Sequence, residues 1–523
     1  MIMANDDEKG RVAVSTATPG YMKSNEAGER LLSQKLSDER QAAQIFNPSP
    51  RQATGRLTGP LAFAVFAVTL ASFQFGYHIG CVNAPGGLVT EWIVESHQGL
   101  FNSTLTKEDA DFAWSVAVSV FAVGGMAGGL LSGWLADKVG RRGALLYNNL
   151  IALGAAALMA LAKSVGVYPM IVLGRLLIGF NCGLSSGLVP MYLTEVSPIN
   201  LRGMLGSLHQ LLVTIAILVS QVLGLPSLLG TNERWPLIFA FTIVPAILQL
   251  ITLPMCPESP KYTLAVRGQH DRAEADLKKL RGTGDVSGEM AAMQDEVASA
   301  RAQQKPTMGS MFTGALRWPM TIAIMMMLSQ QLSGINVAMF YSTVIFRGAG
   351  LTVSQAVYAT IGMGAVNVLM TIVSVWLVDH PKFGRRSLLL MGMGGMCVST
   401  VLIVIALGLS GDYQWASYAA IAFVLLFVIS FATGPGTIPW FFVSEIFDSS
   451  ARGNANSIAV MVNWMANLFV GLTFLPINNL LHQYSFLIFT FFLAFFMVFT
   501  WRCVPETKGK TIEEIQAEFE KRR

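Results

Sequence analysis

Charged side chains are scarce in this sequence, and acidic ones are missing from its apolar stretches. Asp, Glu, Lys and Arg make up 13% of the 523 residues, about half the share of an ordinary soluble domain, which argues against a water-soluble enzyme or binding domain. Cysteine is sparse as well. Cys81, Cys182, Cys256, Cys397 and Cys503 lie in or beside apolar stretches with no CxxC spacing, so neither a thiolate metal centre nor a disulfide framework is indicated, and no metal or cofactor is expected. A phosphate-cradling P-loop and a nucleophile-and-base cluster are both missing, which excludes ATP-driven work and enzymatic chemistry. The first sixty residues lack the apolar core of a cleavable signal peptide, so the first apolar stretch is expected to serve as an uncleaved signal.

What fills the sequence instead is apolar surface: 53% of residues are hydrophobic and the mean hydropathy is +0.51. Stretches of roughly 20 apolar residues suffice to cross the hydrocarbon as helices. Twelve can be marked, at about 61–83, 112–134, 144–163, 168–190, 203–225, 236–256, 318–346, 353–378, 386–408, 415–443, 454–478 and 484–502. The expected fold class is an all-α membrane protein. Lys and Arg gather in the even-numbered connections, at Lys138, Arg141 and Arg142, at Arg202, between Lys261 and Arg317, at Lys382, Arg385 and Arg386, and at Arg452. Because such residues stay on the cytoplasmic side, both termini are expected there. The first loop, about 84–111, is acidic and carries the sequon Asn102-Ser103-Thr104, a candidate glycosylation site. The net charge of +4 follows from this topology, and no nucleic-acid partner is expected.

Two halves repeat one another. "DKVGRRG" after span 2 matches "DHPKFGRRS" after span 8, and "EVSPINLRG" after span 4 matches "EIFDSSARG" after span 10, at an offset of about 245–250 residues. The expected organisation is a polar tail (1–57), a six-helix bundle (58–257), a linker of short helices (258–316), a second, pseudo-symmetric six-helix bundle (317–503) and a tail (504–523). Duplicated bundles of this kind enclose a midplane site and rock about it. The repeated charges, Asp137, Arg141, Arg142, Glu195 and Arg202 in one copy and Arg385, Arg386, Glu445 and Arg452 in the other, are expected to form a cytoplasmic network whose breaking separates two states.

Polar residues inside the spans mark the site. "MMMLSQQLSGINVAMFYSTVIF", from Met325, buries Gln330, Gln331, Ser333, Asn336, Tyr341 and Ser342. An unpaired amide in lipid costs several kcal/mol, so these groups should face the bundle interior or a wet cavity. On a straight helix Asn336 would point about 120° away from Gln330, so a break at Ser333-Gly334 is expected to bring both glutamines and Asn336 together. An amide donates and accepts at once, as the hydroxyl group of a small polar solute does. Further stripes run through span 5 (Gln210, Thr214, Ile217, Gln221) and span 11 (Asn456, Asn463, Asn467), and Asn367 stands alone in span 8. "GPGTIPW" in span 10 should weaken its helix beside Trp440. Arg175, deep in span 4, needs a buried polar or carboxylate partner.

The stretches "QFGYHIGCVNAP", "GWLADKVGRRG", "YLTEVSPINLRG", "PESPKYTL", "QQLSGIN", "GPGTIPW" and "VPETKGKTIEEI" together resemble the signature set of the sugar porters of the major facilitator superfamily, most of all animal facilitative glucose transporters. The resemblance implies a hexose substrate, alternating access without ion coupling, and the plasma membrane. It implies substrate binding by Gln210, Gln330, Gln331, Asn336, Asn367, Trp440 and Asn463, and lining or gating by Phe75, Ile217, Phe340, Tyr341, Phe431 and Trp464. Proton-coupled relatives carry a carboxylate where this sequence has His78, which is expected to be a neutral wall residue. Met327 replaces a Gln, and Ala432 an acid, of glucose-selective relatives. These selectivity candidates should make the cavity less polar and admit fructose beside glucose, with Thr437 a compensating acceptor. A coupled sugar or polyol symporter and a transporter-like sugar receptor stand as alternatives. The oligomeric state is not legible.

Overall fold

The computed structural model describes residues 55–302, 306–448, 450–510 and 512–521. The expected N-terminal tail therefore lies almost entirely outside the described residues. Among those described there are helices and turns and no strands. That is the outcome hydrocarbon imposes, since a helix pairs its own N–H and C=O groups where no water can.

Twelve helical spans are long and apolar enough to cross a membrane. Span 1 is Gly59–Gly80, span 2 Lys107–Val139, span 3 Arg141–Val165, span 4 Pro169–Val196 and span 5 Arg202–Leu223. Span 6 is broken into Trp235–Ala240 and Ile243–Thr252, where Pro245 cannot donate to the Phe241 carbonyl, which takes the Val244 N–H at 3.0 Å instead. Span 7 is broken into Arg317–Gln331 and Ile335–Gly348. Spans 8 and 9 are Val353–Asp379 and Arg385–Leu409. Span 10 is broken into Gln414–Thr433 and Ile438–Ile446. Spans 11 and 12 are Arg452–Leu481 and Phe486–Cys503.

The chain forms two six-helix bundles that meet along two seams, span 2 against span 11 and span 5 against span 8. Shifting by six spans turns each seam into the other, as pseudo-twofold symmetry requires. Gly125, Gly129 and Gly133 of span 2 let span 11 approach: a methyl group on them would come within 2.3 Å of Trp464, 2.6 Å of Val460 and 2.6 Å of the Gly453 carbonyl. Small residues at four-residue spacing are the usual device for close helix contact in lipid.

Three short helices, Pro260–Ala265, His270–Arg281 and Ser287–Ala302, join the halves and share a small core of Leu264, Ala273, Leu277, Val286, Met290 and Met293. They cover the end of the molecule that holds the repeated charges, here called the linker face. A last helix, Ile512–Lys521, buries Ile515 and Phe519. Within the first loop Gly86–Phe101 is helical and ends at Asn102, which is left-handed with φ 55°. Its apolar positions are too few to read as a helix from sequence, yet they bury Val89, Trp92 and Ile93.

Candidate functional site

The break in span 7 organises the site. Gly334 has φ +90°, and a methyl group there would fall 2.7 Å from the Phe489 ring; only glycine tolerates both. The turn carries Asn336 back over the end of the preceding helix, where its Nδ2 donates to Gln331 Oε1. Gln331 Nε2 donates to Asn463 Oδ1 at 2.9 Å, Asn463 Nδ2 to Gln330 Oε1 at 2.8 Å, and Asn467 Nδ2 to Gln331 Oε1 at 3.4 Å. Gln330 Nε2 is held differently. It donates to the Pro435 and Gly436 carbonyls at 3.1 and 3.0 Å, acceptors that the interrupted helix of span 10 leaves free. Gln330 thus ties the two broken spans together, while Gln331, Asn336, Asn463 and Asn467 satisfy one another.

These amides and Asn367 of the same half line a cavity between the halves, and Gln210 faces it from the other half. Asn367 Oδ1 is buried without a hydrogen-bond partner among the described residues. All seven expected substrate-binding residues lie on this wall, as do Phe75, Ile217, Phe431 and Trp464. Asn467, Ile79, Val213, Ile335 and Met339 also line it. Asn467 was legible as part of the span 11 stripe; the apolar four carried no signal that separates lining from packing. The side chains of Phe340 and Tyr341 lie outside the described residues.

Toward the linker face the cavity ends on aromatic rings from both halves. Phe75 lies 5.3 Å from Trp464 and 6.3 Å from Trp440, and His209 meets Trp440 edge-on at 5.3 Å. Trp464 Nε1 reaches across to Ser186 Oγ at 3.3 Å. On the opposite side Asn83 Nδ2 donates to the Met339 carbonyl at 2.8 Å, joining span 1 to span 7.

Several expectations need correction. Met327 and Ala432 are buried but do not line the cavity. Met327 stands behind Asn463, whose Nδ2 approaches its sulfur at 3.6 Å, and at the end of the first half of span 10 it is Phe431 that takes the cavity side. Thr437 is engaged by Ser374 at 3.4 Å. His78 is also off the wall, fully buried, with Nε2 2.6 Å from Thr242 Oγ1. Arg175, by contrast, has the buried polar partners expected as one of two possibilities: it donates to the carbonyls of His78 (3.1 Å) and Ala117 (3.4 Å) and lies over the Phe121 ring at 4.2 Å.

The charges of the linker face form two matched clusters rather than one network. Arg141 grips Glu195 through two bonds of 2.9 and 2.8 Å and reaches Asp137 at 3.4 Å. Arg385 reaches Glu445 at 3.3 Å and Asp379 at 3.4 Å. Glu258 accepts the backbone N–H groups of Arg141 and Arg142, and Glu506 those of Arg385 and Arg386, so each carboxylate caps a helix start. Ser259 then donates to Glu195, and Thr507 to Glu445. The sequence signal for this second pair was available: Pro257-Glu258-Ser259 and Pro505-Glu506-Thr507 repeat at the same offset as the other motifs. The side chains of Arg142 and Arg386 form no ion pair among the described residues; they donate to the carbonyls of Cys256 and Trp501. Arg452 donates to the Phe447 carbonyl, and the Nε of Arg202 and of Arg452 is buried without a hydrogen-bond partner among the described residues. The halves are joined instead by Asp379 accepting the Met204 N–H at 2.7 Å, by Ser457 Oγ accepting the Gly133 N–H at 3.0 Å, and by Glu296 of the linker. Burial disfavours the Glu296 carboxylate, but Lys261 at 2.6 Å, with Arg452 and Arg202 near, outweighs it and lowers its pKa to about 2.

Two pseudo-symmetric bundles around an amide-lined midplane cavity define a membrane carrier of small polar solutes. Comparison with known proteins narrows this. Residues 64–519 match the family described as "Sugar (and other) transporter", and the chain belongs to that family. It is 77% identical over 471 residues to "Facilitated glucose transporter protein 1" of Caenorhabditis elegans, covering 90% of this chain and 92% of that one. It is 43% identical over 468 residues to human "Solute carrier family 2, facilitated glucose transporter member 3", covering 89% and 94%. Among solved structures, the proton:xylose symporter XylE of the major facilitator superfamily, bound to 6-bromo-6-deoxy-D-glucose, superposes with a TM-score of 0.75 at 28% identity, covering 89% of this chain and all of that one.

Proposed function

We propose that this protein is a facilitative hexose carrier, a uniporter that moves glucose across the plasma membrane by alternating access. The observation that carries the reading is the chemistry of the cavity wall: Gln210, Gln330, Gln331, Asn336, Asn367 and Asn463 line it beside Trp440, and no carboxylate is among the described lining residues. Neutral amides match sugar hydroxyls in both roles, and the Trp440 plane suits the C–H face of a pyranose. A wall without an acid offers a proton nothing to ride on. Phe75, Phe431 and Trp464 serve as lining and gate.

On this reading the linker face and both termini are cytoplasmic, and the domains run 58–257 and 317–503 with the 258–316 linker between them. The first loop is extracellular, where Asn102, exposed at a helix end, takes the glycan. Uptake of labelled glucose into proteoliposomes, with and without an imposed proton gradient, is the test. Equilibrating uptake that is indifferent to a protonophore is the expected result. Concentrative uptake that the protonophore abolishes would show a symporter and turn attention to His78 and Arg175.

A further inference from the structure

One polar side chain near the cavity has no structural employment. Gln221 is buried in span 5, and both its Nε2 and its Oε1 lack hydrogen-bond partners among the described residues. An amide hidden in this way costs free energy, and intramembrane glutamines ordinarily offset that cost by bonding a neighbouring helix. Its place in the fold is specific. Ile217, one turn earlier, lines the cavity. Across the seam a methyl group on Gly364 of span 8 would meet Gln221 Oε1 at 2.4 Å, so span 8 leaves room there for the amide. Asn367, three residues further along span 8, lines the cavity and also carries an unpartnered oxygen. Span 5 runs away from the linker face, so Gln221 stands about one turn nearer the opposite face than Ile217.

We propose that Gln221 is an outer sugar-binding residue: its amide gives the first paired donor and acceptor to a hexose arriving from the face opposite the linker, before the sugar reaches Asn367 and Gln331. This rests on the hexose-carrier reading. The seam at Gln221 and Gly364 is where spans 5 and 8 part when the halves rock, so an amide with no partner in the joined state is free to serve the ligand in the parted one. The contact is made from one side only, which makes its signature asymmetric.

Gln221→Met keeps the length and volume and removes the hydrogen bonding. In oriented proteoliposomes the KM for glucose influx from the face opposite the linker should rise about five- to a hundredfold, the worth of one neutral donor and one acceptor. The KM for efflux should stay within about twofold, and thermal stability should hold or rise. Gln221→Asn should recover part of the influx affinity. Unchanged influx KM in Gln221→Met, or a fall in thermal stability with both KM values unmoved, would overturn the inference while wild-type uptake leaves the carrier reading intact. Wild-type vesicles that carry no hexose would defeat that reading itself.

Discussion

Replacing Gln331 by alanine removes the side chain on which the amide cluster turns. Its Nε2 donates to Asn463 and its Oε1 accepts from Asn336 and Asn467, so the cluster is satisfied internally, and on the proposed reading a hexose binds by exchanging those bonds for its own hydroxyls. If the amide gives the sugar one donor and one acceptor, each worth about 0.5–1.5 kcal/mol net, the loss is about 1–3 kcal/mol, or five- to a hundredfold in Kd. The three orphaned partners can turn to water in the cavity, so the folded state should lose little. Trp440 and Trp464 border the same space, and quenching of their fluorescence by glucose reports binding directly, with Tm measured on the same sample. Glucose affinity unchanged in Gln331→Ala, with Tm lowered, would refute the reasoning and make the cluster a helix staple.

Arg385→Ala strips Glu445 and Asp379 of their cation, and Asp379 is also the acceptor for Met204 across the seam; the variant should favour the state open to the linker face and lose turnover more than glucose affinity, as sided inhibitors would register. Glu296 has a depressed pKa near 2, below its ordinary 4.5. Its contribution to linker docking is therefore complete above about pH 4.5 and is lost as pH falls from there through 2, so between pH 5 and 8 protease protection of the linker should be flat in wild type and lower throughout in Glu296→Gln. Gly334→Ala must place a methyl group against Phe489 at positive φ, a backbone cost of about 1–2 kcal/mol before the clash, and should lower Tm by several degrees.

Much of this was legible in the sequence, for reasons that differ from residue to residue. The spans announce themselves because hydrocarbon demands uninterrupted apolar length, and Ser333-Gly334 reads as a break because a cluster of amides on both sides makes sense only if the helix turns there. The duplicated Arg141–Glu195 and Arg385–Glu445 pairs follow from repeated spacing. What escaped depends on backbone groups or on which face a broken helix presents. Glu258 and Glu506 act by accepting N–H groups at helix starts, and Arg175 by donating to carbonyls; neither partner has a letter in the sequence. Ala432 was expected to widen the cavity, but in the helix Gln414–Thr433 it sits about 100° round the axis from Phe431, and it is Phe431 that faces the cavity.

The neutrality of the wall bears on how such a carrier can work without an ion. A site that changes the face it opens to must pass through a state closed to both, and a lone carboxylate there would be dehydrated at a cost of several kcal/mol, which a symporter escapes by taking up a proton. Here Gln330, Gln331, Asn336, Asn463 and Asn467 are held in one hydrogen-bonded cluster when no sugar is present, and Asn367, whose oxygen lacks a partner among the described residues, is neutral, so on the proposed reading the unloaded closed state carries little electrostatic penalty and the empty carrier can return. With sugar bound, the same donors and acceptors are satisfied by hydroxyls, and the penalty stays similarly small. The balance between faces is then left to contacts outside the cavity. On the linker side these are many and polar: the Glu195 and Glu445 clusters, Asp379 with Met204, and Glu296 among Lys261, Arg202 and Arg452. Opening that face breaks charge-assisted bonds that the aromatic floor of Phe75, Trp440 and Trp464 does not replace, so substitutions on the linker face should redistribute states while substitutions on the wall change affinity.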